Sequence, residues 1–250
     1  MGFLSRKIRR LYGIIWRVKR KLDKTLIHCL LPFFTKGRDT SAKNLVLERL
    51  GTDYGGWTTP IELLTENSVC YCFGIGIDAS FDFELANSFG CNVFSFDSTP
   101  KSIAYMEREK YDRNHVHFIP IGIWDEETKL RFYSPANPEE TSHSVYDLHG
   151  TGNYFEAECK KLSTIMKDLG HNHIDLLKLD IEGSWGRVLN NIANEKINIS
   201  ILCVELDSPV TLKKVLKVIN TLKGLGLRLV HWKKDNYLFI QDRLLAQKLS

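Results

Sequence analysis

Along the chain, short and nearly continuous apolar runs alternate with segments whose apolar residues recur every three or four positions. The runs at 69–73, 93–97, 116–121, 174–180, 199–205, 227–232 and 237–240 have the pattern of strands covered on both faces. Between them, 81–89, 100–111, 184–194 and 211–225 carry helical spacing. Thr99 before Pro100 predicts a capped helix start. Leu212, Val215, Leu216, Ile219 and Leu222 mark one face of the last helix, and Gly224 or Gly226 can close it. Alternating β and α predicts an α/β fold with a mostly parallel, doubly wound sheet. The run at 237–240 follows its predecessor too closely for a crossover helix, so it should be antiparallel. Between the third and fourth runs, 125–128 reads as a hairpin turn and 131–133 as its returning strand. The Pro-, Ser- and Thr-containing stretch 134–153 reads as a lid, a binding loop or a disordered segment.

The N-terminal 44 residues follow a different rule. Leu4, Ile8, Leu11, Ile15, Val18, Leu22 and Leu26 are spaced by three and four, with Arg and Lys filling the other faces, which predicts a basic amphipathic helix interrupted by Gly13. This arm holds twelve Lys/Arg against Asp23 and Asp39, a net of +10, so the remaining residues carry −6 of the total +4. An acidic domain repels a phosphate backbone, and no nucleic-acid partner is expected for it. The longest uncharged run, 25–35, has 11 residues and contains His28 and Pro32, well short of the ~20 needed to span a bilayer. No small-residue cleavage site follows it, which argues against a secretory signal. Two readings stand open for residues 1–35: an interfacial helix on anionic lipid, or a helix docked on a partner or on the domain itself. Basic residues around Phe3, Leu4 and Trp16 favour the membrane surface. A short polar linker at 37–43 separates the arm, 1–44, from a domain expected at 45–250.

Hydrophobic content of 43% with 26% charge is that of a globular chain able to form one sizeable α/β core. Six cysteines include no Cys-x-x-Cys pair, and Cys70, Cys72 and Cys203 sit in apolar runs. This predicts buried thiols, a reducing and therefore cytoplasmic setting, and no structural zinc, while the arm at 1–35 leaves peripheral contact at a membrane surface open.

The candidate chemistry starts where the first strand breaks into Gly74-Ile75-Gly76, with a helix behind it and a second strand ending in Asp97. Glycines let the main chain turn sharply against a ligand, and an acid one strand on can accept ribose hydroxyls. Ala79 and Ser80 stand where a third fingerprint glycine would be, which argues against a pyrophosphate cofactor. Asp180, Glu182, Glu205 and Asp207 fall at the carboxyl ends of the fourth and fifth strands, where such sheets bind ligands. One of them can serve as a base, or several can hold Mg²⁺ or Ca²⁺. Each also has a plainer use, as Asp180 or Glu182 can cap the following helix and Asp97 the helix after Thr99. Lys178 should snorkel or pair with an acid. His143, in the long loop, could reach an acceptor as a base or stay solvated. His115, His117, His171 and His173 lack a further ligand and give no metal site. Trp57 and Trp124 could wall a pocket or simply pack.

Residues 66–240 resemble the FkbM-type S-adenosylmethionine-dependent methyltransferases. The resemblance rests on Cys72-Phe73-Gly74-Ile75-Gly76, Phe96-Asp97, Gly122-Ile123-Trp124-Asp125, Leu162-Ser163-Thr164-Ile165-Met166, Val204-Glu205 and, above all, Ile174-Asp175-Leu176-Leu177-Lys178-Leu179-Asp180-Ile181-Glu182-Gly183. It implies a Rossmann-like class I methyltransferase fold with seven strands. It also implies S-adenosylmethionine as cofactor, and transfer of its methyl group to a hydroxyl, often on a sugar or glycan. The cofactor set so expected is Phe73, Gly74, Gly76, Asp97, Ser98, Gly122, Trp124 and Asp180. The catalytic set is Asp180, Glu182, Glu205 and His143. Leu206-Asp207 follows Glu205 where the family often has histidine, so a simple base is favoured over a divalent metal. A cofactor-binding module without catalysis in a glycan-assembly complex, and an NAD-dependent or nucleotide-sugar oxidoreductase, are the alternatives. The oligomeric state is left open.

Overall fold

The computed structural model describes residues 18–19, 21–33, 45–134, 143–145, 152–207 and 210–247. Its centre is a seven-stranded sheet. In chain order its strands are β3 (Val69–Phe73), β4 (Asn92–Phe96), β5 (Val116–Ile119), β9 (Ile174–Leu179), β10 (Ile199–Glu205), β11 (Leu227–Lys233) and β12 (Asn236–Gln241). The spatial order is β11-β12-β10-β9-β3-β4-β5. β5, β4, β3, β9 and β10 pair in parallel, and β12 lies antiparallel between β10 and β11. The strand order reverses between β3 and β9, and the crevice outside the carboxyl ends at such a reversal is where doubly wound sheets hold ligands.

Strand residues alternate between two cores, and both are apolar. Tyr71, Phe73, Leu202 and Val204 face one, with α4 (Leu162–Asp168), α5 (Trp185–Glu195) and α6 (Leu212–Lys223) packed over it. Cys70, Cys72, Ile201 and Cys203 face the other, under α2 (Ser80–Phe89), α3 (Pro100–Arg108) and α7 (Asp242–Gln247). Double coverage is why these strands read as unbroken apolar runs. The Thr99 side chain accepts the Ser102 N–H to cap α3, and Thr211 does the same for Lys214 at α6.

Two smaller sheets lie outside that frame. β1 (Leu47–Leu50) pairs antiparallel with β2 (Trp57–Pro60). β6 (Gly122–Ile123), β7 (Thr128–Tyr133) and β8 (Tyr154–Lys160) form a sheet in the order β6-β8-β7. The hairpin expected around 125–128 is therefore corrected. β7 does not fold back on β6, because β8, from beyond the long loop, inserts between them. Most of that loop, 135–142 and 146–151, lies outside the described residues.

The arm is helical at 18–19 and 21–33, here α1. Ile27 and Leu31 are buried in the α5/α6-side core, and Lys24 pairs with Asp235 in the β11–β12 turn. Of the readings open for the arm, this part docks on the domain itself. The expected helix at 1–17 lies outside the described residues. Among the described residues no helix is long and apolar enough to cross a membrane.

Candidate active site

The crevice at the strand reversal is shaped first by main chain. Gly74 follows β3 with φ +79° and donates to the Phe96 carbonyl at 3.0 Å, while Asp180 N donates to the Phe73 carbonyl at 3.1 Å. A Cβ on Gly74 would lie 1.8 Å from the Asp180 carbonyl oxygen, so only glycine closes the β3–β9 seam. Asp97 accepts from Ile75 N at 3.0 Å and Gly76 N at 2.9 Å on one oxygen, and from Thr99 N at 2.8 Å on the other. A carboxylate has about four acceptor sites. Three are occupied, which leaves room for a ribose hydroxyl. Its first task is to hold the glycine turn.

Lys178 lies beneath this turn. It does not snorkel: the side chain is 2% exposed and its ammonium donates to the Gly74 carbonyl at 2.7 Å. Burial alone would push its pKa down. The surrounding Asp180, Asp82, Cys72 and Asp97 outweigh that and hold it above the ordinary lysine value. Asp82, itself buried and raised by burial despite Lys178, bonds Ser95 at 2.6 Å. The turn thus rests on a buried charge that the strand pattern does not announce.

The four acids at the strand ends do not act alike. Burial, the charge of Asp180 and a hydrogen bond to it push Glu205 up to about 10, so Glu205 keeps its proton at neutral pH. Asp207 is raised by burial, and its carboxylate accepts the Gly183 N–H at 3.1 Å, which closes the turn after β9. The Glu182 carbonyl accepts from Ser144 Oγ at 3.3 Å and so ties part of the long loop to the rim. Among the described residues no group of three or more His, Cys, Asp or Glu side chains is placed to hold a metal ion.

These features surround a cavity of about 300 Å³. Phe73, Gly74, Gly76, Asp97, Ser98 and Gly122 line it on the glycine side; Asp180, Glu182, Glu205 and His143 line the rim. Trp124 does not, contrary to expectation. Its main-chain N–H donates to the Lys160 carbonyl in the β8 register, and its buried ring lies under the Arg187 guanidinium at 5.3 Å. Phe73 and Phe96 stack at 4.3 Å to form an apolar wall. His115, His117, His171 and His173 hold local partners in Asp112, Asn92, Tyr71 and Ser200.

Several lining residues escaped the sequence reading. Asp78, in the glycine stretch itself, holds the Gly55 N–H and the Thr52 hydroxyl, and so binds the β1–β2 loop over the cavity. Asn236 enters from the start of antiparallel β12, and Phe132 from β7. A second cavity, about 430 Å³, shares Tyr54, Trp57, Glu205 and Asn236 with the first and continues towards Arg49, His231 and Lys233.

The lining of the first cavity fits S-adenosylmethionine. Asp78, Asp97, Asp180 and Glu182 line it beside the proton-holding Glu205, and none of its described lining residues is Lys or Arg. Such a surface favours a sulfonium cation and opposes a pyrophosphate.

Comparison with known proteins points the same way. A model of the family described as the methyltransferase FkbM domain matches residues 58–228. A human protein named probable methyltransferase-like protein 24 is 28% identical over 135 residues, which are 52% of this chain and 30% of that protein. Its rat counterpart is 24% identical over 137 residues, 54% and 31% of the two chains. The chain thus matches about a third of the length of these curated relatives. Among solved structures, a Methanococcus jannaschii fibrillarin pre-rRNA processing protein aligns with a TM-score of 0.42 at 12% identity, covering 83% of this chain and 75% of that one. An Aeropyrum pernix fibrillarin in complex with S-adenosylmethionine gives 0.39 at 12% identity, covering 71% and 66%.

Proposed function

The chain belongs to the FkbM methyltransferase family, whose members depend on S-adenosylmethionine, and we propose that it methylates a hydroxyl of a sugar in a glycan, glycolipid or glycosylated metabolite. One observation carries the reading: Glu205, whose pKa is pushed up by burial and by Asp180 beside it, lines both cavities where they meet. When bound, the cofactor supplies a methyl carbon already activated by a positive sulfonium. The protein must then align an acceptor oxygen with it and remove a proton. A sugar hydroxyl is a weak nucleophile at neutral pH, and a positioned base contributes about 10²–10⁴ in rate.

Asp180 suits that role, since Glu205 donates to it and fixes which oxygen is free to take the hydroxyl proton as the oxygen gains its methyl group. Asp97 would hold one ribose hydroxyl, and the Phe73/Phe96 wall the apolar part of the cofactor. The second cavity is the acceptor's place. Tyr54, 79% exposed, offers an aromatic face at the shared mouth, and Arg49, Asp53, His231, Lys233 and Asn236 bring polar groups to the lining, as suits a sugar ring with one apolar face and many hydroxyls.

Isothermal titration with S-adenosylmethionine, followed by mass spectrometry of a panel of glycan acceptors, tests this. Cofactor binding and a gain of one methylene unit on a hydroxyl are expected. A folded chain that binds no cofactor overturns the reading, and binding without transfer to any acceptor returns the chain to a non-catalytic module.

A further inference from the structure

Helix α1 buries only part of its apolar surface. Ile27 and Leu31 are in the core, yet Val18, Leu22, Leu26, Leu30 and Phe33 are exposed at 54, 58, 48, 37 and 70%. At 3.6 residues per turn these five fall on one stripe, centred about 140° around the helix from the buried pair. Solvent-facing positions of a docked helix are ordinarily polar, so five large apolar side chains on one strip mark a surface that meets something else. Lys19 and Lys21 flank its N-terminal end, and the sequence that precedes it adds Arg6, Lys7, Arg9, Arg10 and Arg17.

We propose that α1 is an interfacial helix that seats the protein on an anionic lipid bilayer. Charge chooses the occupant. Residues 1–44 carry +10 and the remainder −6, so an anionic surface attracts the arm and repels the domain, which orients the molecule stripe-down. An apolar strip beside lysines is the chemistry of a helix lying at the headgroup boundary. The same helix is fixed by Lys24 to Asp235, whose neighbour Asn236 lines both cavities. Seating α1 therefore sets how the two cavities are oriented to the bilayer.

The test uses the full chain with vesicles of phosphatidylcholine alone or mixed with phosphatidylglycerol. Cys29 is exposed while the other five cysteines are buried, so a polarity-sensitive dye can be placed on α1 itself. The expected result is sedimentation with the anionic vesicles only, a blue shift of the dye, and weakening by salt. Leu22→Asp with Leu26→Asp, both exposed in the structure, should lower partitioning at least about tenfold with an unchanged thermal transition. Lys19→Glu with Lys21→Glu gives a second, milder loss. No partitioning of the folded protein, or partitioning that ignores both pairs of substitutions, overturns the proposal. So does a dimer that the leucine variant dissociates without any lipid binding, since a second copy would then be what covers the stripe.

Discussion

The two sides of the candidate site are built from different materials. On the glycine side the shape is main chain: Gly74 wedged against the Asp180 carbonyl, Asp97 holding two loop amides, Lys178 propping the turn from below. On the rim the shape is secondary and protonation decides, with Glu205 pushed up by burial and by Asp180. A change on the first side should alter whether the cofactor is held. On the rim, it should alter what happens to it.

The largest effect expected is from Gly74→Ala. A Cβ 1.8 Å from a carbonyl oxygen, on a residue with φ +79°, cannot be accommodated without opening the β3–β9 seam. Stability should fall by about 3 kcal/mol or more, and titration should detect no cofactor binding. Near-native binding would break the division, because the turn would then not depend on its main chain. Asp180→Asn comes next and acts from the other side. Turnover should fall about 10²–10⁴-fold while cofactor affinity changes little, and a loss of affinity as large as the loss of turnover would merge the two sides.

Glu205→Gln sharpens the contrast within the rim. The wild-type group binds its proton more tightly folded, at about 10, than its ordinary value of 4.5, so between those values the folded chain holds the extra proton. Stability from this group is therefore fully present below 4.5 and is lost as pH rises towards 10. Glutamine can still donate to Asp180 and never ionises. The variant should gain about 1–3 kcal/mol at neutral pH, flatten the fall of Tm between pH 6 and 9, and lose no more than about tenfold in turnover. A loss equal to that of Asp180→Asn would mean that the reaction's proton passes through Glu205 itself.

How much of this was legible in the sequence depends on what each residue depends on. The central sheet was readable because double coverage makes β3, β9 and β10 nearly continuous apolar runs, with no register needed to see it. β8 was not: Tyr154–Lys160 places Glu156, Glu158 and Lys160 among apolar residues, and its partner β7 lies across a long loop. The glycine turn showed itself because Gly74 is required by a close approach. The roles within the acid cluster did not, because Asp180, Glu205 and Asp207 are equivalent as letters and differ only in burial and partners. Lys178 read as a side chain that snorkels or pairs with an acid, and nothing local reveals which, because Asp82 comes from the distant α2.

Trp124 is the smallest and most pointed case. It belongs to the Gly122-Ile123-Trp124-Asp125 motif, and Gly122 does line the cavity. The β6–β8 pairing sends the indole the other way, into a buried position under Arg187. Trp124→Phe should cost about 1 kcal/mol, from lost ring area and a weaker cation–π contact, and leave cofactor affinity within about twofold. Thermal melting and titration on the same samples separate these terms. Binding weakened more than about tenfold at an unchanged Tm would place the indole against the ligand and overturn its assignment to packing. The expected split, a lower Tm with cofactor binding intact, would show that a family motif can mark a fold requirement beside the site as readily as a contact within it.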